Sequence, residues 1–260
     1  MLNDGEIIRI SELKNNRAKS WIIVLTKDKE LSTHLGQITH NDIIGGEYGD
    51  ILSLTKGKVV ILSPTPRDFL HHFRLKTQIL YEDDCEMACS LAGIGMGMKV
   101  GEAGTGSGAL TSFLAHRIRP NGKVFTFDMN PDHLDNARQN LESTMLSMYV
   151  EFNVHDIRKP IVLKDLDAFF LDFSAPYEAI DNLTPVLKGG GHLVCFVPNW
   201  GQVESTVHKI NNNPNFFLSE VLEITRRNFI VNPERRVMRP VFRGLVYSGI
   251  LIHAIKVNLV

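Results

Sequence analysis

Residues 100–108 read Val-Gly-Glu-Ala-Gly-Thr-Gly-Ser-Gly, placing Gly104, Gly106 and Gly108 at alternate positions just after Glu102. The run lies between an apolar stretch and a helical pattern. Glycines so spaced let a strand turn sharply into a helix while the backbone approaches a bound nucleoside closely. Gly104-Thr105-Gly106-Ser107-Gly108-Ala109 also satisfies the G-x-G-x-x-G/A pattern of dinucleotide binders. The turn by itself therefore leaves the cofactor open, and the residues downstream decide it.

Outward from this turn, helices and strands alternate. Val124–Asp128 is a short apolar strand ending in an acid, and Asn130-Pro131 supplies a helix cap with proline at the first helical position. Leu134, Ala137, Leu141 and Met145 recur at helical spacing. Val150–Val154 and Leu166–Leu171 read as further strands, followed by a helix stop at Leu187–Gly191 and a strand over His192–Val197. Strands separated by helices imply an α/β, Rossmann-like, doubly wound sheet that is mainly parallel, with ligands at the strands' carboxyl ends. The glycine turn, Asp128, Asp156 and Asp172 all fall there.

Residues 1–62 read differently. Ile7–Ile10, Trp21–Leu25 and Val59–Leu62 are β-branched runs punctuated by glycines, as in a small β-barrel or sandwich. Ser63-Pro64-Thr65-Pro66 interrupts any ladder. The expected division is a small β domain over 1–65 and a catalytic domain over 66–260.

Hydrophobic content of 43% with 22% charged residues is that of an ordinary globular protein, and no apolar run reaches the length of a membrane span. No secretory leader is visible, and Cys85, Cys89 and Cys195 are too few for a disulfide framework. A cytoplasmic protein is expected. Cys85 and Cys89 share a helix spacing, and no partner set completes a metal site, so both are read as packing residues. A net charge of −1 offers no global attraction for nucleic acid. Locally, however, Arg226, Arg227, Arg235, Arg236, Arg239 and Arg243 face a single acid, Glu234, and alternate with apolar residues as in an exposed hairpin. Such a hairpin can lie along phosphates, although a charge run is most often a solvated face.

Asp128 follows Gly104 by 24 residues at the end of the next strand, where an acid accepts hydrogen bonds from ribose hydroxyls or, alternatively, starts a helix. Asp156 fits either an adenine amino group or a plain turn. Asp172, flanked by Phe169, Phe170, Leu171 and Phe173, is expected to be partly desolvated, as functional carboxylates often are. The alternative is an N-cap for a helix near Tyr177, for which Pro176 and the intervening residues make it early. Both a nicotinamide dinucleotide and S-adenosylmethionine fit a glycine turn followed by an acid. The pattern E-x-G-x-G-x-G suits a nucleoside with a charged amino-acid tail better than a pyrophosphate. No second phosphate turn and no Tyr-x-x-x-Lys appear either, so S-adenosylmethionine is the expected cofactor.

These residues resemble the tRNA (adenine-N1) methyltransferases of the TrmI family, over about residues 30–255. The resemblance is carried by His34-Leu-Gly36-Gln-Ile38-Thr-His40 through Gly45, by Pro64-Thr65, by Thr77-Gln78-Ile79-Leu80-Tyr81, and by Glu102–Gly108. Leu171-Asp172 through Pro176-Tyr177, Arg239-Pro240 and Tyr247-Ser248-Gly249 complete it. The chain departs from the family where Tyr81-Glu82-Asp83-Asp84 replaces Tyr-Pro-Lys-Asp and where Val246-Tyr247-Ser248 replaces Gly-His-Thr. Asp128 stands where the family has Glu, and His133 where it has Arg.

The resemblance implies a class I S-adenosylmethionine-dependent methyltransferase acting on adenine N1 of the tRNA T-loop, at position 58 and in some members 57, and typically tetrameric. It implies cofactor contacts from Gln78, Glu102, Ala103, Gly104, Thr105, Gly106, Ser107, Gly108, Ala109, Leu110, Asp128, His133, His155, Asp156 and Asp172. Asp172 would accept a hydrogen bond from the adenine amino group, and Tyr81 would wall the pocket. Arg226, Arg227, Arg239 and Arg243 are the expected RNA contacts. Three other readings are a methyltransferase for another substrate, a non-catalytic tRNA-binding subunit, and a nicotinamide-dependent reductase. The family's N-terminal signature argues against the first, and the intact glycines with Asp172 argue against the second.

Overall fold

The computed structural model describes residues 1–14, 18–233, 235–241 and 247–258. The chain divides into two compact units, residues 1–74 with 142–145, and residues 75–141 with 146–260.

The first unit contains β1 (Ile7–Glu12), β2 (Ser20–Val24), β3 (Glu30–Thr33), β4 (Gly36–Thr39), β5 (Ile51–Leu54), β6 (Gly57–Leu62) and helix α1 (Pro66–Leu70). An antiparallel sheet runs in the order β2-β1-β6-β5, and β3 pairs with β4 as a separate hairpin. Alternation along β1 and β6 turns Ile8, Ile10, Val59 and Ile61 inward, where they pack with Leu25, Ile38 and Ile43. Pro66 starts α1 behind a capping box made by Thr65 and Asp68. Asp68 also binds Arg9 of β1 at 2.7 Å. This tie keeps α1 with the β unit, so the division falls after Arg74 and not at the prolines.

The second unit begins with α2 (Glu82–Leu91), β7 (Lys99–Ala103), α3 (Ala109–Ile118), β8 (Lys123–Asp128), α4 (Pro131–Glu142) and β9 (Val150–Val154). It continues with β10 (Leu166–Leu171), α5 (Ile180–Leu183), β11 (Leu187–Val197), α6 (Trp200–Asn211), β12 (Phe216–Leu222), the hairpin β13 (Phe229–Asn232) and β14 (Val237–Pro240), and β15 (Ile250–Lys256). The sheet order is β12-β15-β11-β10-β7-β8-β9. The five strands from β11 to β9 are parallel, while β15 and β12 close the other edge antiparallel.

Residues 187–191, expected to stop a helix, instead open β11. Leu187 pairs with Leu166, and a register shift passes the strand to Ala168 and His192. Local glycines suggest a turn, but sheet pairing overrides them. Buried Phe169, Phe170 and Leu171 put β10 at the centre of the core. The connection order reverses between β7 and β10, so their carboxyl ends open a crevice at the switch point. Among the described residues no helix is long and apolar enough to cross a membrane.

Candidate active site

The crevice holds a cavity of about 360 Å³ bounded by the ends of β7, β8, β9 and β10 and by residues 77–80. At its centre is the turn from β7 to α3. Gly104, Gly106 and Gly108 have φ of +94°, +52° and +82°, a region side chains rarely adopt. Each glycine also abuts protein. A methyl group on Gly104 would fall on the Asp172 carbonyl oxygen, and one on Gly106 would come within 2.8 Å of Thr77 Oγ1. One on Gly108 would meet Leu141 and Ala137 of α4. The turn therefore lets β7 and β10 converge and brings the start of α3 close to α4, besides opening backbone to the cavity.

Hydrogen bonds lock it there. The Gly106 N–H donates to Asp128 Oδ2 at 3.0 Å, and the Gly104 N–H donates to the Phe127 carbonyl at 2.9 Å. Ser107 Oγ accepts the Lys76 and Thr77 amides at 3.0 and 3.2 Å. This stitches the segment Thr77–Leu80 along the cavity wall.

Four carboxyl groups line the cavity: Glu102, Asp128, Asp156 and Asp172. Glu102 is buried, and its Oε2 accepts the Thr111 and Thr126 hydroxyls at 2.6 and 2.7 Å. Burial pushes its pKa up to about 7 against the effect of those donors. Asp172 follows β10, and its amide donates to the Ala103 carbonyl at 2.9 Å. Burial, then the neighbouring charges of Glu102 and Asp84, raise its carboxyl to about 8. Behind Asp172 lies an apolar wall that includes Leu80, Leu110, Phe170 and Phe196.

Asp128 also accepts the Asn130 amide at 2.9 Å and lies 3.3 Å from His133 Nδ1, so it serves both the glycine turn and the start of α4. Asp156 is gripped through both oxygens by Arg158, at 2.8 and 2.9 Å, which holds its pKa below the usual carboxylate range. His155 packs edge-on against Phe127 with ring centres 6.2 Å apart.

The cavity thus gathers Gln78, Glu102–Ser107, Ala109, Leu110, Asp128, His133, His155, Asp156 and Asp172. Gly108 is outside its lining, turned toward α4, and so is Tyr81, the N-cap of α2. Sequence reasoning missed Phe127, Met129, Ile157, Arg158 and Phe173–Ala175 as wall residues. Most of them directly adjoin an acid at a strand end, a signal that would have found them.

The arginine segment forms the expected hairpin, β13 with β14. Its members differ in employment. Arg226 binds Glu82 and Asp83 at 2.9 and 2.8 Å, whereas Arg227 lies 5.8 Å from the Phe229 ring centre. Arg239 is on β14, with Nη1 3.4 Å from the Pro240 carbonyl. Arg243 lies outside the described residues. Among the described residues no group of acids, histidines and cysteines is arranged to hold a metal ion. The three cysteines are free and buried.

The lining distinguishes the two cofactor classes. Among its described residues, four acids face one Arg or Lys, Arg158, and that one is committed to Asp156. A pyrophosphate entering here would meet desolvated carboxyls and no free guanidinium or ammonium, whereas a ligand carrying positive charge would relieve them. The donor set therefore fits S-adenosylmethionine, with its sulfonium and ammonium groups, better than a nicotinamide dinucleotide.

Comparison with known proteins agrees with this distinction. Residues 57–242 match the family described as tRNA methyltransferase complex GCD14 subunit, and residues 1–52 match the TrmI-like N-terminal family. The tRNA (adenine(57)-N(1)/adenine(58)-N(1))-methyltransferase TrmI of Methanocaldococcus jannaschii is 29% identical over 264 residues, covering 91% of either chain. A SAM-dependent O-methyltransferase from Thermotoga maritima superposes with TM-score 0.83 at 31% identity, over 99% of this chain and 95% of that one. The tRNA (m1A58) methyltransferase TrmI of Aquifex aeolicus superposes with TM-score 0.77 at 25% identity, over 99% of both chains.

Proposed function

The chain belongs to the family of tRNA methyltransferase complex GCD14 subunits, and from that premise we infer its activity and the part each residue plays. It is an S-adenosylmethionine-dependent methyltransferase that methylates adenine N1 in tRNA. The observation that carries the mechanism is the acid-lined cavity at the switch point, closed on one side by the stitched segment Thr77–Leu80. The target is position 58 in the T-loop, and the arginine hairpin engages the tRNA backbone. Assembly as a homotetramer would set such hairpins around one tRNA.

Asp128 would hold the ribose, and Glu102 with Asp172 would face the cationic end of the cofactor. When bound, the cofactor supplies an electrophilic methyl group on a sulfonium whose departure leaves a neutral thioether. The protein's task is therefore alignment and exclusion of water more than acid catalysis. N1 lies on the Watson–Crick edge, so the adenine has to leave its stack to reach the site. Asp172 accepts a hydrogen bond from the exocyclic amino group and, once ionised, opposes the positive charge that appears on the ring. The apolar wall behind it keeps that interaction in a medium of low dielectric.

The test is Asp172→Ala. Methyl transfer to tRNA is expected to vanish while affinity for S-adenosylhomocysteine stays within about tenfold, a change of ~1.4 kcal/mol. Near wild-type turnover at saturating tRNA would make Asp172 a structural residue.

A further inference from the structure

Helix α2 opens with three consecutive acids, Glu82, Asp83 and Asp84, immediately after its N-cap Tyr81. Acids suit a helix N-terminus, but these three repel one another, and Glu82 and Asp84 are buried. Burial together with the charges of Asp83 and Glu82 raises the Asp84 carboxyl above its ordinary value. Such a turn needs external partners, and the excursion between β12 and β15 supplies two of them.

At the start of that excursion, one guanidinium nitrogen of Arg226 reaches both Glu82, at 2.9 Å, and Asp83, at 2.8 Å. At its end, the Ser248 hydroxyl donates to Asp84 Oδ1 at 2.9 Å. The adjoining Tyr247 hydroxyl donates to the Pro198 carbonyl at 2.7 Å, just past β11. The excursion carrying the arginine hairpin is thus fastened at both ends to the helix turn that continues from Thr77–Leu80. That segment is a wall of the cavity, and Asp84 is one of the charges felt by Asp172.

We propose that Arg226 and Ser248 are positioning residues for methyl transfer: they clamp the N-terminus of α2 and thereby set the 77–80 wall against the bound adenine. On this assignment Arg226 is not a phosphate contact. Its charge is spent inside the molecule, and the hairpin's other arginines meet the RNA. An RNA that pulls on the hairpin acts on the cavity wall through the two fastenings. The proposal rests on the methyltransferase reading above and deepens it.

The experiment compares Arg226→Ala, Arg226→Lys, Arg226→Glu, Asp83→Lys and the exchange pair that combines Arg226→Glu with Asp83→Lys, in the full chain. Steady-state methylation of tRNA, the salt dependence of tRNA binding, calorimetric affinity for S-adenosylhomocysteine, and amide hydrogen exchange over residues 78–86 are all measured. Arg226→Ala should lower kcat at least fivefold while moving the tRNA KM less than twofold. The salt slope and cofactor affinity should be unchanged, and exchange at 78–86 should quicken. Arg226→Lys should recover part of kcat, and the exchange pair should recover more kcat and protection than either of its single changes.

A phosphate contact predicts instead a raised KM, a salt slope flattened by about one unit, and no recovery in the exchange pair, which overturns the proposal. So does an Arg226→Ala enzyme with unaltered kcat, or one that loses cofactor affinity in parallel. Should the wild-type chain fail to methylate tRNA, the methyltransferase reading falls. The hydrogen-exchange arm then still decides whether Arg226 holds the α2 terminus.

Discussion

Replacing Asp172 by asparagine tests the electrostatic design of the cavity without the substrate. The Asp172 carboxyl rises from its ordinary 3.8 to about 8, first through burial and then through Glu102 and Asp84. An acid with a higher pKa folded than unfolded keeps its proton on folding. Stability is therefore complete below about pH 4, falls as pH rises from about 4 to about 8, and is level above that. At about 1.4 kcal/mol per pH unit, the full ionisation cost is roughly 5–6 kcal/mol. Water entering the open mouth of the cavity screens part of it, leaving a cost on the order of 2 kcal/mol.

Asparagine has nearly the same shape and cannot ionise. Asp172→Asn should therefore stabilise the ligand-free protein by about 2 kcal/mol at pH 8.5, a rise in Tm of roughly 4–8 °C for a chain of this size. The gain should shrink toward zero as pH falls to about 4. Thermal unfolding followed by circular dichroism or calorimetry at both pH values reads the difference directly. A variant less stable than wild type at pH 8.5, or one whose Tm difference is the same at both pH values, refutes the reasoning.

Two further outcomes follow from the same charges and from the hairpin. Binding of S-adenosylmethionine near pH 7.5 should release protons, because a cation beside Glu102 and Asp172 favours their ionised forms. Calorimetry in buffers of different ionisation enthalpy should then give different apparent enthalpies, and buffer-independent values contradict it. Replacing Arg227, Arg239 and Arg243 together by alanine should lower the slope of log affinity for tRNA against log salt by about one for each phosphate these arginines neutralise. An unchanged slope places the RNA elsewhere on the surface.

Legibility differs between the parts of the chain for physical reasons. The β7-turn-α3 unit is readable because its glycines, its apolar strand and the acid at the next strand's end obey local rules. Asp128, Asp156 and Asp172 stand out because strand ends in such sheets are where ligands bind. Leu187–Gly191 misleads because its glycines speak for a turn, while its partner Leu166 lies some twenty residues upstream. The role of Gly104 is half visible. Positive φ is expected from the turn, but its approach to the Asp172 carbonyl depends on two strands brought together only by folding. Arg226 shows the same limit most sharply. In sequence it is one of six arginines, and only the fold brings it to Glu82 and Asp83, more than 140 residues away. Arg158, two residues past Asp156, is within reach of local reasoning, since a cation so placed can grip the carboxylate.

Methylation of adenine N1 is read out by incubating the protein with S-adenosylmethionine labelled in its methyl group and an unmodified tRNA transcript. The RNA is then digested and the labelled nucleoside identified and mapped by mass spectrometry. Label in 1-methyladenosine at position 58, lost with Asp172→Ala, is the result predicted. Label in any other nucleoside, or none transferred although the protein binds both S-adenosylmethionine and tRNA, would contradict the account.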